Sequence, residues 1–199
     1  GASILWFGWF GFNAGSALAA DGTAALAFFT TQIATATAAL TWILADKIFH
    51  GKPTTLGAAS GAVAGLVAIT PGAGFVGPVA AIIIGGAAGF ICFLAITLKG
   101  KLGYDDSLDV VAVHGVGGLW GALATGLFAS IGAQGLFFGN PKQLGIQAIA
   151  AGAAIVYSFA VSSVILILLK KTTGLRVSDD DEVQGLDLSQ HGETGYYLR

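Results

Sequence analysis

The sequence predicts an all-α integral membrane protein with six transmembrane helices. Of its 199 residues, 55% are hydrophobic and 10% are charged, and its mean hydropathy is +0.79. Soluble domains carry about 25% charged residues, so this composition excludes a soluble enzyme. The apolar residues form six stretches, each close to the roughly 17 to 25 residues with which a helix crosses hydrocarbon. The chain has no basic stripe, so nucleic-acid binding is not expected.

Hydropathy and turn residues place the six spans in order along the chain. Turn sequences rich in Gly, Pro and Asn separate them, as at His50-Gly51-Lys52-Pro53 and at Gly139-Asn140-Pro141. The predicted spans lie near residues 2–20, 23–48, 54–70, 76–99, 107–131 and 143–169. Together they form a predicted transmembrane domain over 1–169, which a polar tail over 170–199 follows.

Glycine spacing predicts how these helices pack. The chain has 31 glycines, and small residues four apart on one helix face let two helix backbones approach closely in a membrane. The predicted close contacts are at Gly57, Gly61 and Gly65, at Gly85 and Gly89, and at Gly117 and Gly121. The single cysteine, Cys92, lies in an apolar run and is interpreted as a small buried side chain. No metal or cofactor is expected.

Basic residues in the short loops predict the orientation. Lys and Arg concentrate on the cytoplasmic side of membrane proteins. Here they occur near residues 47–52, 99–101 and 170–176, at alternate ends of successive spans. The first span is therefore expected to run outward, and the tail is expected in the cytoplasm. The chain is predicted to be a multi-pass protein of the cell membrane, surrounded by the lipid bilayer.

His114 is the residue that most needs an explanation, because a titratable ring at membrane depth is costly and marks a functional site by default. It stands in the apolar, glycine-rich run VAVHGVGG, on the order of 10 Å inside the fifth span. A neutral imidazole can both donate and accept a hydrogen bond. One interpretation is a ring that bonds to a neighbouring helix. The other is a ring that lines a pore, which the glycines that follow favour.

Four further residues each have two interpretations. Asp106 and Asp109 precede the fifth span, where acids cap a helix N-terminus, and capping is the favoured interpretation over proton handling. Phe12 lies in an aromatic run that is typical of packing or of a membrane belt, although an aromatic face beside a pore can also hold a cation. Ser16 alone is typical of helix packing.

The predicted orientation also orders the candidate positions by depth. Ser16 and Thr70 are expected nearest the outer surface, followed by Phe12 and then by His114. Leu5 and Val110 are expected nearest the inside.

Four segments, in this order, resemble the Amt family of ammonium transporters, within the Amt/Mep/Rh superfamily. They are GWFGFNAGS from Gly8, GAASGAVAGLVAITP from Gly57, DVVAVHGVGG from Asp109 and GLRVSDDDEVQGLDLSQHGETGY from Gly174. The resemblance implies an eleven-helix fold made of two inverted repeats, in which this chain supplies the second repeat and the last helix, helices six to eleven. Because the chain has no Met and opens at Gly1 within an apolar segment, it is expected to be the C-terminal portion of a longer protein.

The resemblance also implies an activity and roles for single residues. Members carry ammonium or ammonia, and methylammonium, across the membrane as homotrimers with a pore in each subunit, and they are not enzymes. By similarity, Ser16 and Thr70 belong to an outer recruitment site and Phe12 to a gate of two phenylalanines. His114 is similar to the second of two paired pore histidines. Leu5 and Val110 are similar to residues that line the apolar channel.

The tail contains an acidic run, Ser178 to Glu182, that is typical of a helix start. A solvated and mobile tail is one interpretation. The resemblance instead implies an ordered regulatory tail beneath the trimer, with a PII-type signalling protein as its partner and with Ser189 where some relatives carry a phosphorylation site.

Two other functions remain open. An ammonium sensor would bind its substrate with the same fold and signal through the tail. A membrane haem or redox subunit would use His114 as an axial ligand. His50 and His191 lie in a loop and in the tail, so the sequence offers no second ligand at the depth of His114.

Overall fold

The computed structural model describes residues 1–195, in which all regular secondary structure is helical. Tyr196, which ends the tail motif, lies outside the described residues. Each predicted span corresponds to a helical segment. In chain order these are α1 (Ala2–Gly15), α2 (Gly22–His50), α3 (Thr55–Ile69), α4 (Pro78–Leu102), a π-helix (Val111–Val116) continued by α5 (Gly117–Phe128), and α6 (Pro141–Thr172). A 3₁₀ turn (Leu136–Phe138) precedes α6, and α7 (Asp179–Gln184) and α8 (Leu186–His191) follow it.

Four of these segments are long and apolar enough to cross a membrane: α2, α4, the π-helix with α5, and α6. The other two apolar helices are shorter, with 14 residues in α1 and 15 in α3. The prediction of an all-α membrane protein is therefore confirmed, with four to six spanning helices. Helices α1 to α5 and the first part of α6 belong to one compact unit, Gly1–Ala151, and the rest of the chain to a second.

The first predicted span is wrong at its C-terminal end. It was expected to continue to about residue 20, but α1 ends at Gly15 and turns follow it. Leu18 has a φ of +55°, a left-handed conformation that a helix cannot continue through. Asp21 then starts α2, because its side chain accepts hydrogen bonds from the backbone N–H groups of Thr23 (2.9 Å) and Ala24 (3.0 Å).

The fifth predicted span is also wrong in its bounds. Helix begins at Val111 rather than near residue 107, and α5 ends at Phe128 rather than near 131. Asp109 has a φ of +57°, which separates the preceding turn from the helix. The first six helical residues are wound as a π-helix, a rare form that occurs often at functional sites.

Close glycine contacts join the helices, and this prediction is confirmed. A Cβ added at Gly65 of α3 would lie 2.7 Å from the carbonyl oxygen of Ala34 on α2. A Cβ at Gly85 of α4 would overlap the same carbonyl oxygen. Two helices therefore approach one residue of α2 backbone to backbone. Cys92 is buried, as predicted, with its sulfur facing Gly117.

The tail begins with a locally ordered segment. Ser178 starts α7, as its Oγ accepts a hydrogen bond from the Asp181 backbone N–H at 3.2 Å. The Arg176 guanidinium donates to both carboxylate oxygens of Glu182, at 2.9 and 2.8 Å. These hydrogen bonds hold the pKa of Glu182 below its ordinary value.

The contact between α4 and α2 predicts a difference between two adjacent glycines. Gly85→Ala drives a methyl group into the Ala34 backbone, whereas a Cβ at Gly86 makes ordinary contacts with the side chains of Thr37 at 3.5 Å and Thr41 at 3.6 Å. Overpacking of this kind costs about 1 to 3 kcal/mol. We expect Gly85→Ala to lower the free energy of unfolding of the full-length protein in detergent by that amount. Gly86→Ala is the matched control, and equal stability of the two variants would contradict the packing account.

Candidate functional site

Three predicted site residues line one cavity of about 160 Å³, which we call the Phe12 cavity. Phe12 and Ser16 enter it from the end of α1, and Thr70 enters it from the end of α3. Asn13 and Phe75 complete much of its wall. Residues that are far apart in the sequence thus meet at one end of two short helices.

Two of the hydroxyl groups that line this cavity, those of Ser16 and Thr70, already donate a hydrogen bond to a backbone carbonyl oxygen. Ser16 Oγ donates to the carbonyl oxygen of Phe12 at 2.7 Å, and Thr70 Oγ1 donates to that of Leu66 at 2.7 Å. A hydroxyl has one donor and two acceptor sites, so each oxygen can only accept further hydrogen bonds. This polarity suits a ligand that carries N–H donors.

Trp9 and Asn13 are functional candidates that the sequence reasoning missed. Trp9 Nε1 donates to Thr70 Oγ1 at 2.8 Å, and its ring centroid lies 5.4 Å from that of Phe12. Asn13 is buried and donates from Nδ2 to Thr31 Oγ1 at 2.8 Å. Trp9 and Asn13 are four residues apart, so they share a face of α1. That spacing was visible in the sequence, but their partners were not.

His114 lies in the π-helix and lines a second cavity of about 280 Å³, which we call the His114 cavity. Asp109, Ser60 and Val63 are among the residues around it. The structure does not bring His114 into the Phe12 cavity. Leu5 and Val110 are about half exposed and line neither cavity.

The two acids before the π-helix make different contacts. Asp106 accepts hydrogen bonds at its two carboxylate oxygens from the backbone N–H groups of Val110 (2.9 Å) and Val111 (2.8 Å). Asp109 forms an ion pair with Lys99 of α4. Asp106 therefore holds the first N–H groups of the helix that carries His114, and Asp109 ties the same segment to α4.

Asp46 is a buried carboxylate that the sequence reasoning also missed, with 4% of its surface exposed. Its Oδ2 accepts from Thr54 Oγ1 at 2.7 Å and from the Thr54 backbone N–H at 3.2 Å, and its Oδ1 lies 3.3 Å from His50 Nδ1. These contacts close the turn between α2 and α3. In residues 1–195, no group of three His, Cys, Asp or Glu side chains is arranged to hold a metal.

Solved structures identify the class of protein to which this arrangement belongs. The fold is similar to that of Saccharomyces cerevisiae Mep2, with a TM-score of 0.86 and 39% identity over 90% of this chain and 43% of that one. It is also similar to a protein described as a sensor Amt protein, with a TM-score of 0.87 and 34% identity over 95% of this chain and 47% of that one. The chain is thus a multi-pass membrane protein with part of the Amt/Mep fold.

The sequence comparisons agree with this class. The ammonium transporter of Bacillus subtilis is 50% identical and that of Aquifex aeolicus 52%, over 98% and 100% of this chain respectively. The model of the Ammonium Transporter Family matches residues 1–196. The chain belongs to the ammonium transporter family. It spans about half the length of these relatives, 50% of the first and 48% of the second.

The hydrogen bond between Trp9 and Thr70 predicts a stability difference between two threonines. In Thr70→Val the part-buried indole N–H loses its acceptor; a fully buried unpaired donor costs about 1 to 3 kcal/mol, so we expect a loss near the lower end of that range. Thr97→Val is the control, because Thr97 donates to Phe93 of its own helix at 3.1 Å. We expect only Thr70→Val to lower the unfolding free energy of the full-length protein appreciably. Equal losses in the two variants would contradict a special role for this bond.

Proposed function

We propose that the full-length protein containing this chain transports ammonium across the cell membrane. The observation that carries the proposal is the separation of two unlike sites, an acceptor-lined aromatic cavity at Phe12 and an isolated imidazole at His114. Membership of the ammonium transporter family supports the same activity.

The Phe12 cavity is the proposed recruitment site. The hydroxyl groups of Ser16 and Thr70 already donate hydrogen bonds to backbone carbonyl oxygens. Their oxygens can therefore accept hydrogen bonds from the N–H groups of an ammonium ion and replace part of the water around it. The face of Phe12, which lines the cavity, attracts a cation through its quadrupole. Phe12 is also the proposed gate, since it lines this cavity and 60% of its surface is exposed.

His114 is the proposed site of proton and ammonia handling. A bare cation in apolar surroundings carries a large desolvation penalty, so ammonium transfers its proton to one nitrogen of a neutral His114 imidazole before the ammonia passes Leu5 and Val110. The other ring nitrogen donates its proton onward along a hydrogen-bonded chain, which returns His114 to its neutral form. The partner histidine implied by the family resemblance would extend this hydrogen-bonded chain.

The assembly and the orientation are parts of the same proposal. Lys and Arg near residues 47–52, 99–101 and 170–176 support a cytoplasmic tail. The full-length protein is proposed to be a homotrimer with a pore in each subunit. The ordered segment at α7 supports a tail that a PII-type protein could contact.

An ammonium sensor is the second candidate, because the chain is similar in fold to a protein described as a sensor Amt protein. Measurement of flux separates the two candidates. A sensor would respond to ammonium through its tail without carrying it at a transporter's rate.

The role of His114 predicts that His114→Ala in the full-length protein sharply reduces ammonium and methylammonium flux. Loss of a proton-handling group typically lowers a rate by about 100-fold or more. The measurement is uptake into proteoliposomes, with His191→Ala in the tail as the control. Wild-type flux and ion selectivity in His114→Ala would reject the pore role.

The role of Ser16 predicts a different kinetic effect. Ser16→Leu removes an acceptor from the recruitment site, so we expect uptake to fall mainly at low ammonium, with a higher half-saturating concentration and a largely preserved maximal rate. The check is uptake measured across a range of ammonium concentrations, with Ser3→Leu on the same helix as the control. An unchanged concentration dependence would count against Ser16 as a recruiter.

A further inference from the structure

We propose that Lys99 is a positioning residue for His114, because it clamps the start of the π-helix that carries the ring. The inference rests on the proposed pore role of His114. It assigns a function to a lysine whose position at the end of a membrane helix is otherwise explained by orientation alone.

Lys99 makes two contacts across the loop between α4 and the π-helix. Its Nζ donates to the backbone carbonyl oxygen of Asp106 at 2.8 Å and to the Asp109 carboxylate, with which it also forms an ion pair. The lysine and Asp109 side chains are 22% and 29% exposed. The side-chain amine of Lys99 thus contacts both of the acidic residues that precede the π-helix.

These two acids set the backbone from which the π-helix starts. Asp106 accepts from the N–H groups of Val110 and Val111 with its side chain. Asp109 holds the left-handed conformation, with φ of +57°, and its carbonyl oxygen accepts from the Val113 N–H at 2.9 Å. A left-handed conformation is less favourable for a residue other than glycine, although Asp tolerates it better than most residues. The Lys99 contact adds to the stability of this conformation and ties it to α4.

The other end of the π-helix is held by close packing. A Cβ at Gly117 would lie 3.1 Å from Cys92 Sγ, and one at Gly121 would overlap the carbonyl oxygen of Ala68 on α3. The helix after His114 therefore cannot rotate freely. A π-helix between two fixed ends keeps its wider winding only while both ends are held.

The register of this segment decides where the ring points. If the first end is released, the segment can rewind as an α-helix, and a shift of one residue turns a side chain by about 100° around the helix axis. His114 would then leave the wall of the His114 cavity. A displacement of a reacting group by about 1 Å can cost on the order of 100-fold in rate, so the clamp is expected to matter for flux.

Lys101 provides a matched control within the same turn. It has the same charge and lies two residues away, also in the last turn of α4. It is exposed and makes neither of the two contacts described for Lys99. An effect of positive charge on orientation or on lipid headgroups would therefore be shared by both lysines.

The experiment compares Lys99→Met, Lys99→Arg and Lys101→Met in the full-length protein, each reconstituted into proteoliposomes and normalised to folded protein. We expect Lys99→Met to lower the maximal ammonium flux by roughly tenfold or more, with an unchanged half-saturating concentration because the Phe12 cavity is intact. Lys99→Arg, which retains donors for both oxygens, and Lys101→Met should keep most of the flux. A structure of Lys99→Met should show His114 displaced and the π-helix rewound.

The structural measurement distinguishes this proposal from the transport proposal. If the wild-type protein carries no ammonium, the proposed function fails, and the position of His114 in Lys99→Met still tests the clamp. An unmoved ring, or equal losses of flux in Lys99→Met and Lys101→Met, would overturn the positioning role. If Lys99→Met does not fold, Lys99→Leu, which likewise has neither a donor nor a charge, takes its place under the same criteria.

Discussion

The rest of the structure depends on the close contact that the backbones of α3 and α4 make with the backbone of α2. In the hydrocarbon of a bilayer there is no hydrophobic driving force for helices to associate, so packing contacts and hydrogen bonds must hold them together. Gly65 of α3 and Gly85 of α4 both meet the backbone at Ala34. This contact fixes α3, and α3 contributes to both cavities through Thr70 and Ser60.

Polar groups within this packed region are satisfied locally. Thr31 and Thr35 of α2 are fully buried, and their hydroxyl groups donate to carbonyl oxygens one turn earlier, both at 2.6 Å. The hydroxyl of Thr31 also accepts from Asn13. Hydrogen bonds of this kind let polar residues lie inside a membrane protein without an unpaired group.

The fold could be predicted from the sequence to the extent that it follows from hydropathy and glycine spacing. Six helical segments and the glycine contacts are properties of local sequence, and both were found. The π-helix at His114 could not be predicted, because the contacts at its two ends join separate elements: Lys99 of α4 binds Asp106 and Asp109 before it, and Gly121 packs on α3 after it. The pairing of Trp9 with Thr70 joins residues 61 positions apart, and the hydrogen bonds of Asp46 join the end of α2 to Thr54 before α3. Contacts between helices, rather than patterns within them, account for what was missed.

The short length of α3 has a consequence for the proposed transport path. At 1.5 Å per residue its 15 residues span about 22 Å, less than the roughly 30 Å of bilayer hydrocarbon. Thr70 lies in the Phe12 cavity directly after its last residue, and Leu56 lies in the His114 cavity within its first turn. The two cavities therefore lie at opposite ends of a helix that is shorter than the bilayer hydrocarbon is thick. If water fills both cavities in the proposed transporter, a membrane voltage falls mainly between them, and the local electric field there is stronger than the average field across the bilayer.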